Sequence, residues 1–380
     1  MAQRAAKKHE LDLPNKRNYY IMLWFILLTG GIAVTKIYLV RHAEAEGNLF
    51  RRAQGQFDGM ITALGYRQIE QLRQRFLSIP VEAVYVSDLR RTRITSTAIW
   101  QGKHLTPHFS SRLREYSLGC WENIPWTEWA ARDNESLLRF NQLDGFSPLG
   151  GETPEQVRQR ITEEFWRIAK ENEGKTIAIV SHGTALRILM GALEGLSFAE
   201  MRTAPHSDNT AVSLVEVEGD SARIVFRDDN SHLGKLSTFA KQAWWRKDNN
   251  APDPALRFRR YSKDHDADLL AVLDAARAEG VAPAFDAATY REVIRLAYWQ
   301  DKVAGVVIPT EEDCWFYLLP ALRGQRQGIQ LIGEGIDALR REGCDTIRCN
   351  CISNSVALYL THYGFDRNGL TCSLKIDFSL

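Results

Sequence analysis

Short apolar runs and helically spaced apolar positions alternate along this chain. Lys36-Ile37-Tyr38-Leu39-Val40 is rich in β-branched and aromatic residues and predicts a strand ending at Arg41-His42. Thr176-Ile177-Ala178-Ile179-Val180 predicts a second strand, running into Ser181-His182-Gly183. Residues 62–78 read as a helix capped by Thr62. Thr153-Pro154-Glu155-Gln156 is a start signal for another helix, to about Asn172, with Thr at the cap, Pro at the first position and Gln three after the cap. Residues 185–196 predict a helix just after His182, and 211–217 with 222–227 predict a hairpin across Gly219-Asp220. This order predicts a wound α/β domain.

Residues 247–254 are polar and carry two prolines, which reads as a linker. The pattern then restarts. Residues 256–261 alternate as a strand, 264–279 read as a helix, and 303–308 and 315–319 as further strands. A basic, glycine-bearing turn over 323–330 enters a helix ending near Arg341, and 346–351 is a strand followed by a short helix. The expected organisation is residues 1–33 as a leader or marginal apolar anchor, 34–246 as a first α/β domain, 247–254 as linker and 255–380 as a second. A length of 380 residues is comfortable for two domains.

A net charge of +1 gives no sign of a nucleic-acid or membrane partner. The six cysteines, Cys120, Cys314, Cys344, Cys349, Cys351 and Cys372, form no disulfide framework. Cys349 and Cys351 share one face of a strand and read as small core residues; no fourth ligand accompanies them and Cys344, so no metal site is assigned.

Strand tips in open α/β sheets are where ligand sites form. Two histidines at two tips, one beside an arginine, point to phosphoryl chemistry. Histidine can attack phosphorus, and the arginine fork matches phosphate oxygens.

The surrounding residues carry a family resemblance over about residues 35–230. Leu39-Val40-Arg41-His42-Ala43-Glu44-Ala45-Glu46-Gly47-Asn48 resembles the signature of the histidine phosphatase, or phosphoglycerate mutase-like, superfamily. Gln54-Gly55, Asp58, Leu64-Gly65 and Gln68 follow in that family's order. So do Ser87 to Arg91 with Thr95, then Leu113-Arg114-Glu115 with Gly119 to Glu122, Gly150-Gly151-Glu152-Thr153, and Ser181-His182-Gly183. Ala43 and Ala45 stand where the family usually has Gly and Thr, and Asn123 replaces its usual Gly.

The resemblance implies a three-layer α/β/α fold and a metal-independent phosphomonoester hydrolase acting on a small phosphorylated metabolite. His42 would become phosphohistidine. Arg41, Arg91 and His182 would surround the phosphoryl group with positive charge, with Asn48 and Gly55 also at the phosphate. Glu115 would donate the proton to the leaving alcohol and then activate water, a role that asks for partial burial. The free N–H groups of the helix after His182 could also face the phosphate. Phosphoglycerate mutase activity is the alternative, but the segment from Tyr116 to Leu149 is short for the mutase insertion. Trp121, Trp126 and Trp129 within it line a leaving-group pocket or are core.

Residues 255–380 resemble the GNAT superfamily of N-acetyltransferases, which implies a mixed-sheet α/β domain. Gln325-Arg326-Gln327-Gly328-Ile329-Gln330 is similar to its acetyl-CoA loop, with Gln330 in place of the final small residue. These residues and Leu318 would hold acetyl-CoA, and an amine would accept the acetyl group. Asn354 to Phe365 resembles the closing element, but Leu360 stands where the catalytic tyrosine usually falls, flanked by Tyr359 and Tyr363. A CoA-binding module without transfer is the alternative.

Tyr19 to Val34 are sixteen residues without a charge, behind a basic flank. They are short for a membrane span and run straight into the first strand. Acetyl-CoA is a cytoplasmic substrate, which favours a cytoplasmic protein over one anchored through this stretch.

Overall fold

The structure, a computed structural model, describes residues 33–204, 206–238, 255–310, 313–325 and 327–377. The linker 247–254, most of the apolar stretch Tyr19 to Val34, and Arg326 lie outside the described residues. No helix among the described residues is long and apolar enough to cross a membrane.

The first half runs β1 (Thr35–Arg41), α1 (Glu46–Phe50), β2 (Arg52–Ala53), α2 (Ala63–Phe76), β3 (Ala83–Ser87), α3 (Arg90–Trp100), β4 (His108–Ser110), β5 (Ile124–Pro125), α4 (Trp126–Arg132), α5 (Asn134–Gln142), α6 (Pro154–Glu171), β6 (Thr176–Ser181), α7 (Gly183–Leu193), β7 (Val212–Glu218) and β8 (Ser221–Asp229). Its main sheet has the order β4-β3-β6-β1-β7-β8. The β4, β3, β6 and β1 strands are parallel, and the β7–β8 hairpin adds antiparallel to β1. One face is covered by α6 and α7, which bury Ile161, Phe165, Ile188 and Leu189. The other is covered by α2 and α3, which bury Leu72, Phe76 and Ile99. This is the three-layer α/β/α domain, and the helix starts at Thr62 and Thr153 hold as capped N-termini.

The second half runs β9 (Arg257–Arg260), α8 (Asp266–Ala278), β10 (Arg295–Trp299), β11 (Lys302–Pro309), β12 (Cys314–Leu318), α9 (Gly328–Arg341), β13 (Thr346–Asn350), α10 (Asn354–Thr361), β14 (Asp366–Asn368) and β15 (Thr371–Lys375). Strands β12-β11-β10-β9 make an antiparallel sheet between α8 and α9, and β13-β15-β14 make a smaller one. The sheets meet where β12 lies beside β13. Strands β10, β14 and β15 carry no clear strand pattern in the sequence. β10 is buried on both faces, so it shows no alternation, and β14 is polar and exposed throughout. Cys349 and Cys351 are buried, as expected of core residues.

The two halves meet through an apolar cluster to which both contribute. Phe50 of α1 packs among Leu331, Ile332 and Ile336 of α9. It lies so close that a Cβ added at Gly333 would stand 2.4 Å from its ring. Charged groups surround this contact: Arg52 pairs with Glu334 at 2.8 Å and Asp337 at 3.2 Å, and Arg340 with Glu46 at 2.7 Å.

Candidate functional site

The β1–β6 register sets the site. Arg41 lies opposite Ser181, so the next residue of each strand, His42 and His182, emerges at one tip. The His42 N–H donates to Ser181 O at 3.0 Å and extends the ladder one residue. The imidazole rings lie 5.3 Å apart.

His42 Nδ1 is 2.7 Å from Ala43 O. A carbonyl only accepts, so Nδ1 carries the proton and Nε2 presents its lone pair. Burial, with the charges of Arg91 and Arg41, holds this imidazole well below its ordinary pKa. A neutral ring with a fixed tautomer is what a histidine nucleophile requires.

Arg91 is fully buried at the start of α3. Its Nη2 donates to Gly55 O at 2.7 Å, its Nη1 to Phe57 O at 2.8 Å and its Nε to His182 Nδ1 at 3.2 Å. Burial lowers its pKa to about 10, so it remains a cation at neutral pH. Arg41 donates from Nη1 to Ser207 O, while its buried Nε has no hydrogen-bond partner. Gly183 makes room for it: a Cβ there would stand 3.2 Å from Arg41 Nε. Burial lowers the Arg41 pKa, against the charges of Asp208 and Glu115.

His182 departs from expectation. Its Nδ1 accepts from Arg91, so its proton sits on Nε2, which donates to Ser87 Oγ at 2.8 Å. Burial and the Arg91 charge hold it well below its ordinary pKa. The ring is neutral and supplies no positive charge before phosphate arrives.

Glu115 is half-buried and takes three backbone amides. Its Oε1 accepts from Tyr116 N and Ala185 N, both at 2.9 Å, and its Oε2 from Thr184 N at 3.1 Å. The N-terminal amides of α7 at Thr184 and Ala185 therefore hold the Glu115 side chain. These two amides are taken up by Glu115 and do not face the phosphate. Arg160 bonds the carbonyls of Arg114 and Glu115 and pairs with Glu152, whose Oε2 accepts from Ser117 N; this fixes the turn that carries Glu115.

Asn48 Oδ1 accepts from Ala45 N at 3.1 Å and from Asn209 Nδ2 at 3.4 Å, which leaves the Nδ2 end to donate. Gly55 serves through its carbonyl, which steadies Arg91. Trp121, Trp126 and Trp129 stack with Phe140 on the core; Trp129 is fully buried, and Trp121 and Trp126 are half-buried.

The segment Asp208-Asn209-Thr210, which no motif marks, also shapes the site. Asn209 Nδ2 and Thr210 N both donate to His42 O, at 3.1 and 3.2 Å. Thr210 does so at φ 57°, a left-handed conformation that is costly for a β-branched residue. The motif residue Thr95 gains a role: its Oγ1 accepts from Ala43 N at 2.9 Å.

The family model of the histidine phosphatase superfamily (branch 1) matches residues 37–230. The chain belongs to this superfamily. It is 35% identical over 171 residues to a probable phosphoglycerate mutase, GpmB, of Salmonella choleraesuis, covering 44% of this chain and 79% of that protein. The same protein of Salmonella paratyphi A is 33% identical over 171 residues, with the same coverage. Among solved structures, Bacillus stearothermophilus YhfR is similar at 31% identity and a TM-score of 0.51, covering 52% of this chain and 99% of that one. The histidine phosphatase half is thus a phosphatase- or mutase-like enzyme domain.

The residues expected to form an acetyl-CoA loop are only partly brought together. Leu318 ends β12, and its carbonyl accepts from Arg323 Nε at 2.9 Å. Gln325 is exposed, and its Nε2 donates to Ala321 O at 3.4 Å. Gln327 precedes α9, is fully buried, and has no hydrogen-bond partner at Oε1 or Nε2. Gly328 and Ile329 open α9. Gln330 is not a loop residue: its N–H donates to Gln327 O within the first turn, and its Oε1 accepts from Leu256 N at 2.9 Å. Among the described residues no group of three or more His, Cys, Asp or Glu is placed to hold a metal ion.

Proposed function

We propose that the histidine phosphatase half hydrolyses small phosphomonoesters through a phosphohistidine on His42, without a metal. The observation that carries this reading is the Nδ1–H bond to Ala43 O, which leaves the Nε2 lone pair free on a ring that feels the charges of Arg91 and Arg41. Nε2 attacks phosphorus and the ester P–O bond breaks. The leaving oxygen takes a proton from Glu115. Water then gives a proton to Glu115 and its oxygen displaces Nε2 from phosphorus, so phosphate leaves and the residues are restored. Arg41 and Arg91 meet the charge on the equatorial oxygens throughout. His182 stands beside them as a neutral ring, its Nε2–H held by Ser87 and its Nδ1 by Arg91. The short segment from Tyr116 to Leu149 favours water over a second phosphorylated acceptor. Release of phosphate from a panel of phosphorylated metabolites, set against phosphoryl transfer to phosphoglycerate, tests hydrolase against mutase.

The GNAT-like half we propose to bind acetyl-CoA and pass the acetyl group to an amine. The order of sheet, loop, helix and second sheet supports this. So does an α9 N-terminus that no side chain caps, next to the unsatisfied Gln327 amide. Bound there, acetyl-CoA would supply the acyl group; Gln327, Gly328 and Ile329 would hold its phosphates. The reading as a binding module rests on Leu360, which stands where the family's catalytic tyrosine usually falls, and on Tyr359 beside it, whose pKa burial raises. Calorimetry with acetyl-CoA, with Gly328→Glu as the blocked control, tests binding. Labelled acetyl transfer to amines separates the two readings.

A further inference from the structure

We infer that Arg340, on α9 of the second half, is a positioning residue for the phosphate pocket of the first. The inference rests on the phosphatase reading above. Arg340 Nη1 and Nη2 donate to the two carboxylate oxygens of Glu46, at 2.8 and 2.7 Å. Both side chains are nearly buried, at 12% and 11% exposure, so little solvent competes with the pair. Arg340 Nε also donates to Ile376 O at 2.6 Å, which ties its guanidinium to the second half.

Glu46 is joined to the pocket by two routes. It opens α1, whose Asn48 lies two residues on. Its Oε2 also accepts from Met60 N at 3.2 Å, and its own N–H donates to Met60 O at 3.0 Å. Met60 closes the loop in which the Gly55 and Phe57 carbonyls hold the Arg91 fork. One guanidinium thus fixes the carboxylate from which both phosphate-binding elements are hung.

A second set of contacts supports the first. Arg52, 6% exposed, donates to Glu334 and to Asn123 O and Oδ1, while Asn123 Nδ2 donates to Asp337 at 2.6 Å. Asn123 has φ 56°, a conformation that suits the glycine usual there. Asparagine tolerates that backbone and adds a side chain that reaches α9.

The test uses the full chain with Arg340→Ala, Glu46→Gln and, as a control in an exposed pair, Arg277→Ala. Inorganic phosphate affinity is read by calorimetry, kcat and KM with p-nitrophenyl phosphate, and Tm alongside. Loss of one charged hydrogen-bonding partner predicts about tenfold weaker phosphate binding and a similar rise in KM, exceeding any fall in kcat. Arg340→Lys should recover part of the loss, and Arg277→Ala should match wild type. A role confined to stability predicts a lower Tm and fewer active molecules at unchanged KM. Wild-type phosphate affinity and KM in Arg340→Ala overturn the inference. Where that variant does not fold, the same result in the nearly isosteric Glu46→Gln does so. A wild-type chain that binds phosphate but hydrolyses nothing overturns the phosphatase reading alone, because the affinity comparison needs no turnover.

Discussion

Arg91 Nε donates to His182 Nδ1 at 3.2 Å, and that bond decides the charge of the site. An arginine never accepts, so His182 keeps a lone pair on Nδ1 and is neutral. The resting pocket therefore holds two guanidinium cations and two neutral imidazoles. On the proposed mechanism an arriving phosphoryl group meets fixed positive charge from Arg41 and Arg91, while His42 stays unprotonated.

The first prediction concerns pH. His42 and His182 are fully buried, with pKa values held well below 6.5. The unfolded chain thus takes up protons before the folded chain does. Stability is fully present above about pH 6.5 and falls as pH drops below it, until the folded values are reached. Each of these histidines contributes a slope of about 1.4 kcal/mol per pH unit in that window. Urea unfolding at pH 7.5 and pH 5.5 measures it, with m-values compared to confirm a single transition; equal stability at both would contradict the neutral assignments. For the same reason kcat/KM should show no acid limb near pH 6.5.

Arg91→Lys should lower kcat by about 10²–10³-fold, since a single ammonium cannot bond Gly55 O, Phe57 O and His182 Nδ1 together while facing phosphate. Steady-state kinetics on a folded variant checks this. A loss below threefold would show that charge alone suffices.

Glu115→Gln should cost about 10²–10⁴-fold with an alkyl phosphate and much less with p-nitrophenyl phosphate, whose leaving group needs little protonation. Equal losses on both substrates would assign Glu115 to the architecture of its turn, where it holds the amides of Tyr116, Thr184 and Ala185.

Asn123 offers a stability test of the contact between halves. Asn123→Gly keeps the left-handed backbone and loses the bonds to Arg52 and Asp337, at a cost of about 1–2 kcal/mol. Asn123→Ala adds backbone strain of about 1 kcal/mol. Thermal unfolding should rank wild type above Gly and Gly above Ala. An Ala variant as stable as wild type would contradict the account.

What was legible in the sequence was local. The β1 and β6 runs, the capped starts at Thr62 and Thr153, and the motif residues His42, Arg91, Glu115 and His182 all lie in short contiguous signals, and the structure brings them to one pocket. What stayed hidden depends on distance or tautomer. Asn209 and Thr210 act on His42 O from 167 and 168 residues away, with no local pattern to mark them. The charge of His182 is set by Ser87 and Arg91, so a histidine read as a cation is a neutral ring. Glu46, Arg52 and Arg340 look like surface charges in a line of sequence, and only the docking of α9 on α1 buries them. Gln330 looked like a loop residue because it lies beside Gly328, yet the first turn of α9 and Leu256 claim it.

The most direct test of the central claim is to quench the wild-type chain during turnover of a ³²P-labelled phosphomonoester and map the labelled peptide. The account predicts acid-labile, base-stable label on His42, formed without added metal and absent from His42→Ala, which should fold as wild type and turn over nothing. Label on another residue, or undiminished hydrolysis by His42→Ala, would contradict it.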